Sequence, residues 1–136
     1  MPEPTPSEVL QSYFATFSSG GCEAAAELWG PEVEWHALAG HGTSVVRGDE
    51  AMRRHYSEWV DTIDELGGEI EEVVLDGDEV SVVRVRNFGR GRRSGVPVSG
   101  SYYIVCLVRR GQIVLGREHA TRDDALRDAE ALAPGR

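Results

Sequence analysis

The hydrophobic pattern of the chain changes its period at Gly67-Gly68. Before this point apolar residues recur three or four positions apart, as they do on one face of an α-helix. After it they alternate every second residue, which is typical of strands with one buried face. Turns are predicted at Asp76-Gly77-Asp78 and Arg110-Gly111. The second half therefore predicts four antiparallel strands joined by hairpins: Glu69 to Leu75, Glu79 to Phe88, Val96 to Arg109 and Ile113 to Thr121.

The first half predicts three helices and one strand. Ser7 is the expected N-cap of the first helix, which ends before Gly20-Gly21, and a short second helix runs from Cys22 to Trp29. Val33 to Ala37 alternates like a strand. Asp49 is the expected cap of a third helix, whose apolar stripe consists of Met52, His55, Tyr56, Trp59 and Ile63.

A last helix is predicted from Arg122 to Leu132, because Thr121 with Asp124 three residues later resembles a capping box. Helices followed by a meander indicate an α+β fold, with the N-terminal helices packed on the concave face of one curved antiparallel sheet. At 136 residues a single core is expected. We expect a flexible leader over 1–6, one domain over 7–132 and a tail over 133–136.

The chain is acidic, with a formal net charge of -9 and a sequence pI near 4.9. This argues against nucleic acid or an anionic membrane surface as a partner, because either needs a basic surface. No apolar run approaches the ~20 residues of a membrane span, and the N-terminus lacks signal-peptide features. We expect a cytoplasmic protein with reduced Cys22 and Cys106. Arginine at all 14 basic positions suggests a GC-rich bacterial genome.

No metal or cofactor site is predicted. The four histidines lack the HxH or HExxH spacing of metal ligands, and no cysteine joins them: His36, His41, His55 and His119. Phosphate-loop, dinucleotide and Ser-His-Asp patterns are missing too.

Three charged residues interrupt the predicted strands. Arg84 and Arg86 share one strand face with Val80 and Val82, and Glu118 lies in the last strand. If that face lines a pocket, a carboxylate and two guanidinium groups meet in a low dielectric that shifts pKa values far enough for acid or base chemistry. If it faces water, the arginines are ordinary surface charges, and Glu118 has the alternative of a structural ion pair.

Aromatic residues provide candidates for the wall of an apolar cavity. Each has the alternative of an ordinary place in the core. The candidate pocket residues are Trp35, Phe17, Tyr56, Trp59, Tyr103 and His55.

Several short motifs stand in a characteristic order: Tyr13-Phe14 with Gly20-Gly21, Trp29 to Trp35, Val46-Arg47-Gly48, Gly89-Arg90-Gly91 with Ser94-Gly95, and Gly111-Gln112-Ile113 with Arg117-Glu118. In this order the chain resembles the nuclear-transport-factor-two-like superfamily, and specifically its SnoaL-like polyketide cyclase branch, over about Val9 to Leu132. Ketosteroid isomerases and limonene epoxide hydrolases are related. The resemblance implies a cone-shaped fold with an apolar cavity and a homodimer formed through the sheet.

The resemblance also implies roles for individual residues. The last-strand acid of epoxide hydrolases and cyclases falls on Glu118, and the oxyanion-binding tyrosine of ketosteroid isomerases falls on Tyr13. The second epoxide hydrolase pair falls on Arg84 and Arg86, where arginine replaces the second carboxylate. The isomerase base falls near Ala37 and its second acid near Ser101, so the cyclase set departs least from this sequence.

Three hypotheses follow. The first is cyclase- or isomerase-type proton transfer on a ring-bearing hydrophobic metabolite, with catalytic residues Glu118, Arg84, Arg86 and Tyr13. The second is a ligand-binding protein without chemistry. The third is a dimerisation module, for which a sealed interior would be expected.

Overall fold

The computed structural model describes residues 3–19, 21–39 and 42–132. The helices and strands follow in the order α1 (Pro6–Ser19), α2 (Cys22–Ala26), β1 (Trp29–Ala39), β2 (Gly42–Arg47), α3 (Asp49–Thr62), β3 (Ile63–Asp76), β4 (Val80–Gly91), β5 (Pro97–Arg109), β6 (Gln112–His119) and α4 (Arg122–Leu132). No helix in these ranges is long and apolar enough to cross a membrane.

All six strands form one sheet in the order β2-β1-β6-β5-β4-β3. Strands β3 to β6 are the antiparallel meander that the two-residue period predicts. The β1–β2 hairpin joins this meander because β1 pairs with β6 in parallel, which brings the first strand beside the last. The predicted α+β fold is confirmed, with one parallel pair in an otherwise antiparallel sheet.

The sheet has helices on both faces. We call the face covered by α1, α2 and α3 the inner face, where Val83, Val85 and Ile104 are fully buried. On the outer face α4 packs Ala125 and Ala129 against a separate apolar cluster. Successive residues of β4 alternate between the two clusters, so the position of each side chain in the strand decides which site it can join.

The first helix begins earlier than predicted. Thr5 and Glu8 form a capping box, in which the Glu8 N–H donates to Thr5 Oγ1 at 3.3 Å and the Thr5 N–H to Glu8 Oε1 at 2.8 Å. Pro6 therefore takes the first helical position, where its missing N–H costs nothing. The expected cap Ser7 instead donates its hydroxyl to Asp76 Oδ2 at 2.5 Å, which attaches α1 to the end of β3.

The middle of the chain holds more strand than predicted. Strand β1 is longer than the predicted segment, and strand β2 was not predicted. Strand β3 begins at Ile63, a residue that the sequence pattern places on the apolar stripe of the third helix. Gly67 and Gly68 lie inside β3. The ring of Phe88 occupies the space that a side chain at position 67 would need, and the ring of Phe14 does so at position 68. These glycines therefore serve close packing rather than ending an element.

Candidate functional site

Glu118 projects from β6 into the inner face of the sheet. Its neighbour across the strand pair is the fully buried Ile104. Arg117 and His119 alternate to the outer face, where both contact the carboxylate of Asp128 on α4, at 2.6 and 2.8 Å. The two faces thus separate Glu118 from the charged side chains next to it in sequence.

Two N–H groups hold the Glu118 carboxylate in place. The indole N–H of Trp35 donates to Oε2 at 2.7 Å, and the backbone N–H of Leu38 donates to Oε1 at 3.0 Å. Both donors come from β1, which the parallel pairing sets beside β6. Each carboxylate oxygen therefore has one donor, and its remaining lone pairs are available to a ligand.

Burial raises the pKa of Glu118, and the hydrogen bonds from Trp35 and Leu38 offset part of that effect. Within the described ranges, no arginine or histidine lies at ion-pair distance from this carboxylate. A carboxylate with a raised pKa and no cationic partner is suited to general acid/base chemistry.

Two tyrosines supply neutral hydroxyl groups to the same region. Burial raises the pKa of Tyr13 well above its ordinary value, and the nearby phenol of Tyr102 and carboxylate of Glu118 add to the shift. Burial, followed by the charge of Glu118, raises the pKa of Tyr102 as well. The amide of Asn87 donates to the Tyr102 oxygen at 2.9 Å, which leaves the Tyr102 hydroxyl proton free to donate.

These groups share a cavity of about 220 Å³ on the inner face, which we call the main pocket. Its wall is apolar and mostly aromatic apart from a few polar groups, the composition typical of small-molecule sites. The lining residues are Tyr13, Phe14, Phe17, Trp35, Leu38, His55, Trp59, Leu66, Asn87, Tyr102 and Glu118.

The structure brings six of the predicted site residues together in the main pocket: Tyr13, Phe17, Trp35, His55, Trp59 and Glu118. Tyr56 lies behind the wall, where its ring stacks on Phe17 with centroids 5.0 Å apart and its hydroxyl donates to the Thr16 carbonyl at 2.9 Å. Tyr56 is therefore a core residue that supports the wall.

Arg84 and Arg86 do not reach Glu118. They share a face, as predicted, but it is the outer face, together with Val80 and Val82 under α4. Arg84 lies 3.6 Å from Glu71. The two guanidinium groups therefore do not converge on Glu118 as expected, because β4 directs these side chains to the opposite side of the sheet from the pocket.

Arg86 is paired on the outer face as well. Its guanidinium group lies 2.9 Å from the carboxylate of Glu69 and over the ring of Phe88, 4.9 Å from the ring centroid. Tyr103 stands directly opposite Arg84 on β5, and the guanidinium group of Arg122 on α4 lies 5.8 Å from its ring centroid. Tyr103 is therefore not a pocket residue.

Tyr102 and Asn87 are the polar pocket residues that the sequence analysis missed. Alternation along β4 already placed Asn87 on the face of Val83 and Val85, and Tyr102 follows from the pairing of β4 with β5. The strand register could therefore have revealed Tyr102. Adjacent residues of a strand point to opposite faces, so Tyr102 lies on the inner face when Tyr103 lies on the outer face.

In the ranges that the structure describes, no three histidine, cysteine, aspartate or glutamate side chains are arranged to hold a metal ion. His36 lies on β1 with Nε2 at 3.8 Å from Glu34, and burial lowers the pKa of both His36 and His55. His41 lies outside the described residues. Cys22 and Cys106 are both free thiols, and Cys106 is buried in the inner core.

Residues 10–116 match the family model described as a SnoaL-like domain. Among curated proteins no significant match is found.

Solved structures share the fold across most of the chain. A protein with a ketosteroid isomerase-like fold from Catenulispora acidiphila, in complex with trimethylamine, is 12% identical with a TM-score of 0.73 and 95% coverage of both chains. A Mycobacterium tuberculosis protein in complex with estradiol-17β-hemisuccinate is 15% identical with a TM-score of 0.74, covering 88% of this chain and 97% of the other. A putative polyketide cyclase from Sinorhizobium meliloti is 20% identical with a TM-score of 0.64, covering 82% and 93%. Identities this low establish the fold alone.

Proposed function

Because the chain belongs to the SnoaL-like domain family, we propose that its main pocket binds an apolar, ring-bearing metabolite and that Glu118 transfers a proton at a carbon next to a carbonyl of that ligand. One observation carries the proposal. The Glu118 carboxylate is partly buried among aromatic rings, is held by two N–H donors and has no cationic partner in the described part of the chain. Such a carboxylate is suited to general acid/base work.

The chemistry requires only the groups in the pocket. Glu118 takes the proton from the carbon, the C–H bond electrons form the enolate, and the oxygen of the enolate accepts a hydrogen bond from Tyr13 or Tyr102. Where the enolate is conjugated with a further carbon–carbon double bond, return of the proton at the far end of that bond shifts the double bond, which is isomerisation. Attack of the enolate carbon on a second carbonyl of the same ligand gives an aldol-type ring closure, with the proton passing to the new alkoxide.

A ligand in one structure of the same fold supports the substrate class. The Mycobacterium tuberculosis protein holds estradiol-17β-hemisuccinate, a molecule of fused rings. The aromatic wall formed here by Tyr13, Phe17 and Trp35 offers flat apolar surfaces to a ligand of that kind. Arg84 and Arg86 have no catalytic part in the proposal, since they lie on the outer face.

Hydrogen–deuterium exchange tests the proton transfer without knowledge of the natural substrate. The probe is 2-tetralone in deuterated buffer, and NMR follows the loss of its α-proton signal. The protein is expected to accelerate the exchange, and Glu118→Gln is expected to reduce the acceleration by about 10²- to 10⁴-fold. Glu69→Gln, which removes one carboxylate from the outer face, is the matched control. Equal exchange with the wild-type protein and Glu118→Gln would refute the assigned role.

A second candidate function is ligand binding without chemistry. It is favoured by the described residues of the pocket wall, among which Glu118 is the one carboxylate. Position 37 is alanine, and Ser101 lies on the outer face, where its hydroxyl donates to Glu71 at 2.8 Å. Saturable binding of 2-tetralone with no acceleration of its exchange would support this candidate over the first.

We propose that the protein is a homodimer in the cytoplasm. The family resemblance motivates the dimer, whereas the apolar residues of β5 from Ile104 to Val108 are buried within the chain and do not provide its contact surface. Sedimentation equilibrium of the purified protein tests the dimer, and a monomer at micromolar concentration would contradict it.

A further inference from the structure

The structure has a second cavity beside the main pocket. It measures about 260 Å³ and lies between the end of α3 and strands β4 and β5. We call it the side groove. Trp59, Ile63, Leu66 and Phe88 line it on one side and residues 98–102 on the other. None of the described side chains that line it is charged.

The two cavities share a wall. Trp59, Leu66, Asn87 and Tyr102 line both the main pocket and the side groove. A ligand that contacts Tyr102 in the main pocket is thus one side chain away from the groove. Among the described residues that line both cavities none is charged, so an apolar substituent crosses this boundary without desolvating a charge.

Large apolar side chains are left exposed along the groove. Trp59 is 44% exposed and Val98 is 41% exposed. When an apolar ligand covers apolar surface around a cavity, that surface is removed from water and the free energy falls. The groove thus favours an uncharged, apolar occupant.

A third cavity of about 460 Å³ lies on the other side of Leu66 and is a poorer match for such an occupant. Its wall includes Asp64, Glu65 and Arg92, and the Arg92 guanidinium lies 2.8 Å from Asp64. An apolar substituent there would displace water from charged groups, which is unfavourable.

We propose that the side groove is a binding subsite for an uncharged apolar arm of the ligand, so that the protein takes elongated molecules with a carbonyl-bearing ring in the main pocket and an alkyl or second-ring substituent along Trp59 and Val98. This inference rests on the proposed function for the position of the ring, and it adds the shape of the substrate.

Calorimetric titration with para-ethylphenol, para-butylphenol and para-hexylphenol tests the arm. Their shared phenol is expected to occupy the main pocket near Glu118, and their alkyl chains to enter the groove. The wild-type protein is expected to gain about fourfold in affinity for each added methylene that becomes buried. Val98→Asp is expected to abolish this gain while leaving the affinity for para-ethylphenol within twofold.

Val96→Asp is the matched control. Val96 is 56% exposed and precedes β5, and it does not line the groove, so this variant is expected to keep the full chain-length gain. Thermal melting confirms that each variant is folded, and Val98→Ser provides the same comparison if the aspartate lowers the melting temperature.

Glu118→Gln separates the two proposals. It is expected to weaken all three phenols by a similar factor and to keep the gain with chain length, whether or not Glu118 catalyses proton transfer. The subsite is overturned if wild-type protein binds para-hexylphenol no more tightly than para-ethylphenol, including the case in which neither binds. It is also overturned if Val98→Asp keeps the gain.

Discussion

The indole N–H of Trp35 donates to the carboxylate of Glu118 at 2.7 Å, although the two residues are 83 positions apart in the chain. The contact exists because β1 pairs in parallel with β6 and places Trp35 beside Gly116. The first strand therefore supplies the donor for the acid of the last strand. Removal of that donor is expected to change the pKa of Glu118, although the donor lies on a different strand.

Trp35→Phe is expected to raise the pKa of Glu118 further, because the indole hydrogen bond stabilises the ionised carboxylate. NMR of ¹³C-labelled glutamate carboxyl groups measures the titration midpoint, and Glu118→Gln identifies the signal. Trp29→Phe is the control, since the Trp29 indole donates to Asp49 instead, at 2.8 Å. A midpoint for Glu118 that stays the same or falls in Trp35→Phe would contradict the prediction.

Gly116→Ala is expected to destabilise the fold by about 1–3 kcal/mol, the usual cost of adding a methyl group to a packed interior. A Cβ at position 116 would overlap Cε3 and Cζ3 of the Trp35 indole, which is only 2% exposed. Urea unfolding measures the loss. Gly100→Ala is the matched strand control, because no atom lies within 4 Å of a Cβ added there. Equal stability of the two variants would show that the indole adjusts without cost.

Glu118→Gln is expected to change how stability depends on pH. Because the pKa of Glu118 is raised in the folded state, the folded chain holds this proton at pH values where the unfolded chain has lost it. The resulting stabilisation is fully present below the ordinary glutamate pKa and is lost as the pH rises through the raised value.

Urea unfolding at a series of pH values measures this effect. The free energy of unfolding of the wild type, relative to that of Glu118→Gln, is expected to fall over that window. Glu69→Gln, in which an exposed outer-face carboxylate is lost, controls for the change of net charge. A relative stability that rises with pH would mean that the folded state favours the charged carboxylate.

The sequence could predict most of the fold because its signals are local. The two-residue period predicts the meander, and Thr121 with Asp124 predicts a last helix from Arg122 to Leu132, the same bounds that the structure has. Strand β2 and the start of β3 were missed. In the sequence, Gly67 and Gly68 indicate the end of one element and the start of another. In the structure they lie within β3 and make room for aromatic rings from other elements.

The candidate site could be predicted only in part, for a similar reason. Alternation along a strand shows which residues share a face, and it grouped Arg84 with Arg86 correctly. It cannot show which face the N-terminal helices cover and which one α4 covers, because that depends on packing between distant segments. The same ambiguity put Tyr103 in the pocket in place of Tyr102.

Arg84→Gln and Arg86→Gln are expected to leave both α-proton exchange of 2-tetralone and phenol binding unchanged, because the two side chains lie on the outer face. The Arg84 and Arg86 ion pairs with Glu71 and Glu69 are partly exposed, so each substitution should change the free energy of unfolding by no more than about 1 kcal/mol. Exchange kinetics, calorimetry and urea unfolding measure the three quantities.

Asn87→Ala, which removes the amide that donates to Tyr102 in the pocket wall, is the contrasting variant and is expected to weaken phenol binding. A loss of exchange activity in Arg84→Gln at unchanged stability would mean that charge on the outer face acts across the sheet on Glu118.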